Sequence, residues 1–144
     1  MQVMQAAFDP QYGEAWNRRQ VGDTLTMPNA HFLLADAAGK YPASPEDTVG
    51  FTLSRSAADE EELLLIAVSP QARGQGVGNA LMQRFIHDTQ QRGIKKLFLE
   101  MRDCNPAIYL YQQHGFIMVG RRNNYYRSGK NGPIDALTFA RNAE

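Results

Sequence analysis

Apolar and polar positions change period along this chain, from short alternating runs to one long helical stripe and back. Leu63–Val68 is a continuous apolar run closed by Ser69-Pro70, the pattern of a buried strand. Beyond it Val77, Leu81, Met82, Phe85 and Ile86 recur at helical spacing as far as Gln91. Gly93 stands where a left-handed glycine ends a helix. Ile94–Met101 then predicts a strand. Asn105-Pro106 reads as an N-cap followed by proline at the first helical position, opening a short helix that runs to about His114 and stops at Gly115. Phe116–Val119 and Ile134–Ala140 predict the last strands. Upstream, His31–Ala35 and Val49–Leu53 predict strands, and Gly13–Val21 predicts a helix carrying Trp16. Between them Ala37–Thr48, with Gly39, Pro42 and Pro45, reads as a loop. Polar Ser54–Glu62 reads as a hairpin connection, with Asp59-Glu60-Glu61-Glu62 as its solvated tip.

This alternation predicts an α/β (α+β) domain, a sheet flanked by helices. No repeat, low-complexity tract or linker divides the chain, so residues 1–144 are expected to form one domain. Fifteen basic and fifteen acidic residues give zero formal charge, which argues against a general nucleic-acid binder. Cys104 is the sole cysteine, which rules out an intrachain disulfide and fits a reducing compartment. No apolar run approaches the roughly 20 residues of a membrane span. Met1–Pro10 lacks the basic start and long apolar stretch of a signal peptide, so a cytoplasmic location is expected. His31, His87 and His114 are scattered without metal-ligand spacing, and no metal is expected.

The chemistry concentrates between the buried strand and the long helix. Gln71-Ala72-Arg73-Gly74-Gln75-Gly76-Val77-Gly78 places three glycines where a strand hands over to a helix. A helix start exposes unpaired backbone N–H groups and the positive end of the helix dipole. Glycines let such a backbone approach a ligand closely. The product is an anion site suited to phosphate oxygens, with Arg73 adding a fixed positive charge. A Walker loop needs Gly-Lys and then Ser or Thr, but Asn79 follows Gly78. The dinucleotide fingerprint needs glycine at position 79, which is also Asn79. A glycine-rich turn without a ligand is the bland alternative.

Arg73-Gly74-Gln75-Gly76-Val77-Gly78 resembles the R/Q-x-x-G-x-G/A signature of the GNAT superfamily of N-acetyltransferases. Leu65–Pro70 resembles the strand before that loop in the family, and Leu97–Arg102 with Asn105 the strand after it. Leu110-Tyr111-Gln112-Gln113-His114-Gly115-Phe116 is similar to its L-Y-x-x-x-G-F element. Gly120–Tyr126, Gly132 and Asp135-Ala136 resemble the bacterial ribosomal-protein alanine N-acetyltransferases within it. The likeness covers roughly residues 62–140. The interval from Asn105 to Tyr111 is one residue shorter than the family's, so Tyr111 is aligned from the Gly115-Phe116 side.

The resemblance implies a mostly antiparallel sheet whose central parallel pair splays apart to hold acetyl-coenzyme A. It implies that the backbone of Ile66, Ala67 and Val68 holds the pantetheine and polarises the thioester carbonyl. Arg73, Gly74, Gln75, Gly76, Val77, Gly78 and Asn79 would take the diphosphate, and Asn105 the pantetheine side. Transfer would pass directly to a primary amine, with Glu100 as base and Tyr111 as acid toward the leaving thiolate. The implied acceptor is a protein or peptide N-terminus. A polyamine, an antibiotic or a non-catalytic coenzyme-A module are the alternatives, and the chain is expected as monomer or homodimer.

Elementary chemistry fits such an acceptor. An α-amine has a pKa of about 7.7–8.0 and a lysine about 10.4, so roughly a tenth of the former is neutral at pH 7 and less than a thousandth of the latter. Glu100 shares the phase of Phe98 in its strand, and a carboxylate beside apolar surface is raised toward the range of a useful base. A solvated strand carboxylate is the other reading of Glu100, and core packing the other reading of Tyr111. Glu62 is a second carboxylate placed to reach an amine at the start of its strand. Arg121, Arg122, Arg127 and Lys130, beside Tyr125 and Tyr126, form a basic cluster that reads as a solvated strand edge, or as a contact for acidic acceptor residues or ribosomal RNA.

Overall fold

The strand that the chemistry depends on breaks its own alternation once. The computed structural model describes residues 18–126 and 132–144, with side chains from Gly22 onward; Trp16, Arg127 and Lys130 lie outside the described residues. Its elements are α1 (Arg18–Leu25), β1 (Ala30–Ala35), β2 (Gly50–Ala57), β3 (Glu60–Val68), α2 (Val77–Gln91), β4 (Lys96–Arg102), α3 (Ile108–Gln113), β5 (Ile117–Tyr126) and β6 (Ile134–Asn142). In β3, Leu63 is set against Ser54 of β2 and Leu65 against Leu53, so Leu64 is an extra residue. This bulge turns Leu63 and Ile66, three apart, onto the same core, where strict alternation sends them to opposite faces.

The strands form one sheet in the order β1-β2-β3-β4-β6-β5. All neighbours run antiparallel except β3 and β4, which are parallel. The mostly antiparallel sheet with a central parallel pair is therefore present. The parallel register runs only from Glu60–Lys96 to Leu63–Leu99. Beyond it β3 continues to Val68 beside β2, and β4 to Arg102 beside β6, so the two strands part just past the bulge.

Helix α2 buries the stripe legible in the sequence, Val77, Leu81, Met82, Phe85 and Ile86. Met82, Phe85 and Ile86 of this stripe join Leu63, Leu97, Leu99, Met101, Leu137 and Phe139 in the main core, while Val77 and Leu81 pack with Ala35 in a second cluster. Truncating a fully buried ring such as Phe85 to alanine costs about 3–5 kcal/mol in cores of this kind. The helix ends where expected. Gly93 adopts φ +76°, its N–H donates to the Gln90 carbonyl, and the Ile94 N–H donates to that of Thr89, a Schellman closure.

Three expectations need correction. Ser54–Glu62 is no long connection, because β2 and β3 pair through to Ala57–Glu60 and the turn is only Ala58-Asp59. Glu61 is not part of a solvated tip; it keeps the inward phase of Leu63 and is wholly buried. Helix α3 starts later than Asn105-Pro106 implies, at Ile108 with Ala107 as its cap. The Asn105 side chain instead accepts the Ala107 N–H at 2.9 Å, an Asx turn that takes up the first polar group before the helix opens.

Candidate active site

The gap past Leu63 and Leu99 is the natural place for chemistry, because sheet edges inside it have no strand partner among the described residues. One wall is the backbone of Leu65–Val68, held from behind by β2 through the pairs Phe51–Ala67 and Gly50–Val68. At the end of that wall the Ser69 N–H donates to the Val49 carbonyl, and a short turn, Pro70–Ala72, leads into the glycines. Gly74 and Gly76 lie in the left-handed region at φ +76° and +85°, which the missing Cβ permits.

Helix α2 begins at Val77 with Gly76 as N-cap and no side chain closing it. Its first intrahelical bond runs from the Ala80 N–H to the Gly76 carbonyl, so the amides of Val77, Gly78 and Asn79 precede the ladder. Gly78 sits where a Cβ would lie 3.4 Å from Leu110 and 3.9 Å from Val68. The helix start is thus wedged between the end of β3 and α3. Arg73 is exposed, and its Nε donates to the Val68 carbonyl at 3.2 Å, which lays the guanidinium along the mouth of the gap. Asn79 is fixed by a contact sequence reasoning did not anticipate, its Oδ1 lying 2.8 Å from His114 Nε2. His114 has its pKa pushed down by burial and then by nearby Arg141, so its ring is neutral at pH 7.

Glu100 is the first β4 residue past the parallel register and shares the face of Phe98, opposite the inward Leu97, Leu99 and Met101. Its side chain is 21% exposed and lies 3.4 Å from Arg122, which in turn covers the Tyr125 ring at 4.9 Å. The expected apolar setting is therefore replaced by a cation–carboxylate pair. Tyr111 is 7% exposed, packs edge-on against Phe116 at 6.2 Å and belongs to the core beneath α2. Glu100 and Tyr111 thus approach the gap from opposite faces of the sheet.

Two other candidates are held in ion pairs. Glu62 pairs with Arg55 at 3.2 Å and stands opposite Phe98, one residue before the parallel register ends. Arg121 is not a loose solvated charge: it bridges Asp103 and Asp135, and Asp135 also accepts the Asn124 N–H at 2.8 Å. That backbone bond, followed by Arg121, holds the Asp135 carboxyl below its usual range. Among the described residues no helix is long and apolar enough to cross a membrane.

With this geometry in view, comparison with known proteins is specific. The model of the acetyltransferase (GNAT) family matches residues 1–116. The [ribosomal protein bS18]-alanine N-acetyltransferase of Haemophilus influenzae is 35% identical over 92 residues, which are 64% of this chain and 63% of that protein. The protein of the same name from Escherichia coli K12 is 38% identical over 91 residues, 62% of this chain and 61% of that one. The matched segment thus spans just over six tenths of the length of these curated relatives. The crystal structure of the ribosomal-protein-S18-alanine N-acetyltransferase from Escherichia coli superposes with a TM-score of 0.82 at 26% identity, covering 99% of this chain and 84% of that one.

Proposed function

The chain belongs to the acetyltransferase (GNAT) family, and from that premise we propose that it moves an acetyl group from acetyl-coenzyme A directly to a primary amine, the N-terminal α-amine of a ribosomal-type protein, in the cytoplasm. One observation carries this reading: the parallel pair ends at Leu63–Leu99, and the gap beyond it runs down the backbone of Ile66, Ala67 and Val68 onto an uncapped helix start.

The donor set at that start fits a diphosphate. The amides of Val77, Gly78 and Asn79, the left-handed Gly74 and Gly76, the backbone of Gln75 and the nearby guanidinium of Arg73 gather donors and positive charge for an anion. Ile66–Val68 supply a strand edge on which an extended amide-bearing arm finds partners, with Asn105 across the gap on the side of β4. Acetyl-coenzyme A brings the thioester, the activated acyl group. The protein holds that arm straight, keeps an N–H at the thioester carbonyl and leaves one face open for the amine. Glu100 takes the proton from the incoming ammonium, directly or through one water, and Tyr111 serves the departing thiolate from the core side. A thiol with a pKa of about 8.5 leaves readily, so the contribution of Tyr111 is the smaller one.

The similarity to [ribosomal protein bS18]-alanine N-acetyltransferases supports an alanine α-amine as acceptor. Release of free thiol from acetyl-coenzyme A tests this, with a peptide beginning in alanine, its N-blocked form and spermidine as three arms. Thiol release with the open peptide alone supports the reading. Release with spermidine alone, or with none of the three despite coenzyme A binding, overturns it.

A further inference from the structure

A second cavity lies on the same helix but at its other end, about 20 Å from the glycine loop by helix rise. Its volume is about 250 Å³, and it is lined by His31 and Leu33 of β1, Thr52 and Ser54 of β2, and Phe85, Asp88 and Arg92 of α2 and its cap. The hollow has a cause in the sequence. Along β2 the row facing α2 is Gly50, Thr52, Ser54 and Ser56, while the large residues Phe51 and Leu53 take the other phase. A core-facing row without one large side chain leaves space under the helix that the described residues do not fill.

The polar groups around this space are unevenly satisfied. Arg92 Nη2 donates to both carboxylate oxygens of the buried Glu61, at 2.7 and 2.6 Å, and Ser54 donates to the same carboxylate at 2.6 Å. Arg92 is thereby drawn away from Asp88, which stands one turn before it on the helix. Oppositely charged residues at that spacing ordinarily close on each other. Here Asp88 has no ion-pair partner among the described residues. Thr52 is 1% exposed and lines the cavity. His31 Nε2 is taken by Ser56 at 3.2 Å, which leaves Nδ1.

Charge decides what fits. A lone anion in this space meets the carboxylate of Asp88 with that of Glu61 behind it. A lone cation meets Arg92. A molecule with both signs on neighbouring atoms satisfies each. We propose that this cavity is a binding site for a free α-amino acid with an apolar side chain, its ammonium on Asp88 and Thr52, its carboxylate on Arg92, and its side chain against Phe85 and Leu33. The volume lies just below the roughly 300 Å³ at which pockets for drug-sized ligands begin, as suits one amino acid. The site is separate from the gap between β3 and β4, and the proposal does not depend on the acetyl-transfer reading.

The imidazole of His31 reports directly on the cavity by NMR. L-leucine should shift its ring resonances saturably. L-leucinamide, which lacks the carboxylate, and isocaproate, which lacks the ammonium, should each bind at least about tenfold more weakly, since each leaves one charge unpaired. Asp88→Asn should weaken leucine about tenfold while leaving coenzyme A affinity and the urea midpoint in place. No shift at His31 up to the solubility of leucine, leucinamide binding as tightly as leucine, or undiminished binding by Asp88→Asn would each overturn the proposal. The leucine, leucinamide and isocaproate arms use the unaltered protein and stand even where the variant does not fold.

Discussion

Leu63 and Leu99 are the last two residues to face each other across the parallel strands, and Glu100 is the next residue on β4. The bulge at Leu64 explains why the pairing ends there. An added residue bends β3 and increases its twist, so it cannot follow β4 any further. The strand edge that opens past Leu63 therefore lies beside the Glu100 carboxylate.

Glu100→Gln keeps the shape and removes the base. We expect turnover with an amine acceptor to fall by about 10², the lower end for general-base catalysis, with coenzyme A affinity unchanged. Tyr111→Phe, which preserves the packing on Phe116, should reduce turnover by less. Steady-state rates over a pH series, beside a direct cofactor titration, check both. A Glu100→Gln enzyme as fast as the parent removes this carboxylate from the mechanism.

Two glycine substitutions separate fold from ligand. Gly76→Ala places a side chain in a left-handed residue that has nothing within 4 Å of the added Cβ, so only backbone strain of about 1–2 kcal/mol is expected in urea unfolding. Gly78→Ala is helical and meets Leu110 at an ordinary 3.4 Å, so its stability should change by less than about 1 kcal/mol. Both should weaken coenzyme A binding, because both thicken the surface of the cradle.

Adjacent glutamates in one acidic run should behave differently. Glu61→Gln removes a buried carboxylate that accepts from both Arg92 and Ser54 and should cost about 2 kcal/mol. Glu62→Gln removes an exposed pair with Arg55 and should cost less than about 1 kcal/mol. Paired urea titrations measure the contrast, and equal losses would contradict it.

Much of this was legible beforehand. Helix α2 could be read to the residue because its stripe, its glycine cap and its length all agree. The glycine loop could be read because a strand, three glycines and a helix adjoin in sequence. Glu61 was not, since a run of four carboxylates gives no sign of which one takes the inward phase, and its partner Arg92 is 31 residues away. The setting of Glu100 was missed for a similar reason. Arg122 arrives from β5, two strands distant in the sheet, and local alternation carries no trace of it. The late start of α3 reflects a contest between two roles of Asn105, in which the Asx turn with Ala107 prevails over a cap.

Acid should loosen the fold through two histidines. Burial, then Arg92, lowers the pKa of His31, while Glu61 opposes; burial, then Arg141, lowers that of His114. A folded pKa below the unfolded value near 6.5 means that the unfolded chain takes up protons first. Their contribution is therefore complete above about pH 7, falls as pH drops through 6.5, and levels off below the folded values. Asp135, with its lowered pKa, adds a separate loss only in the carboxylate range, near pH 4 and below. Unfolding midpoints across pH should fall in these two steps, and His31→Gln with His114→Gln should flatten the first.

The central claim is that the helix start after β3 holds the diphosphate of coenzyme A. Amide resonances followed during a coenzyme A titration test it most directly. The account predicts large, saturable shifts at Gly74, Gly76, Val77, Gly78 and Asn79, with smaller ones along Ile66–Val68. Binding without movement of the loop amides, or no binding at all, would contradict it.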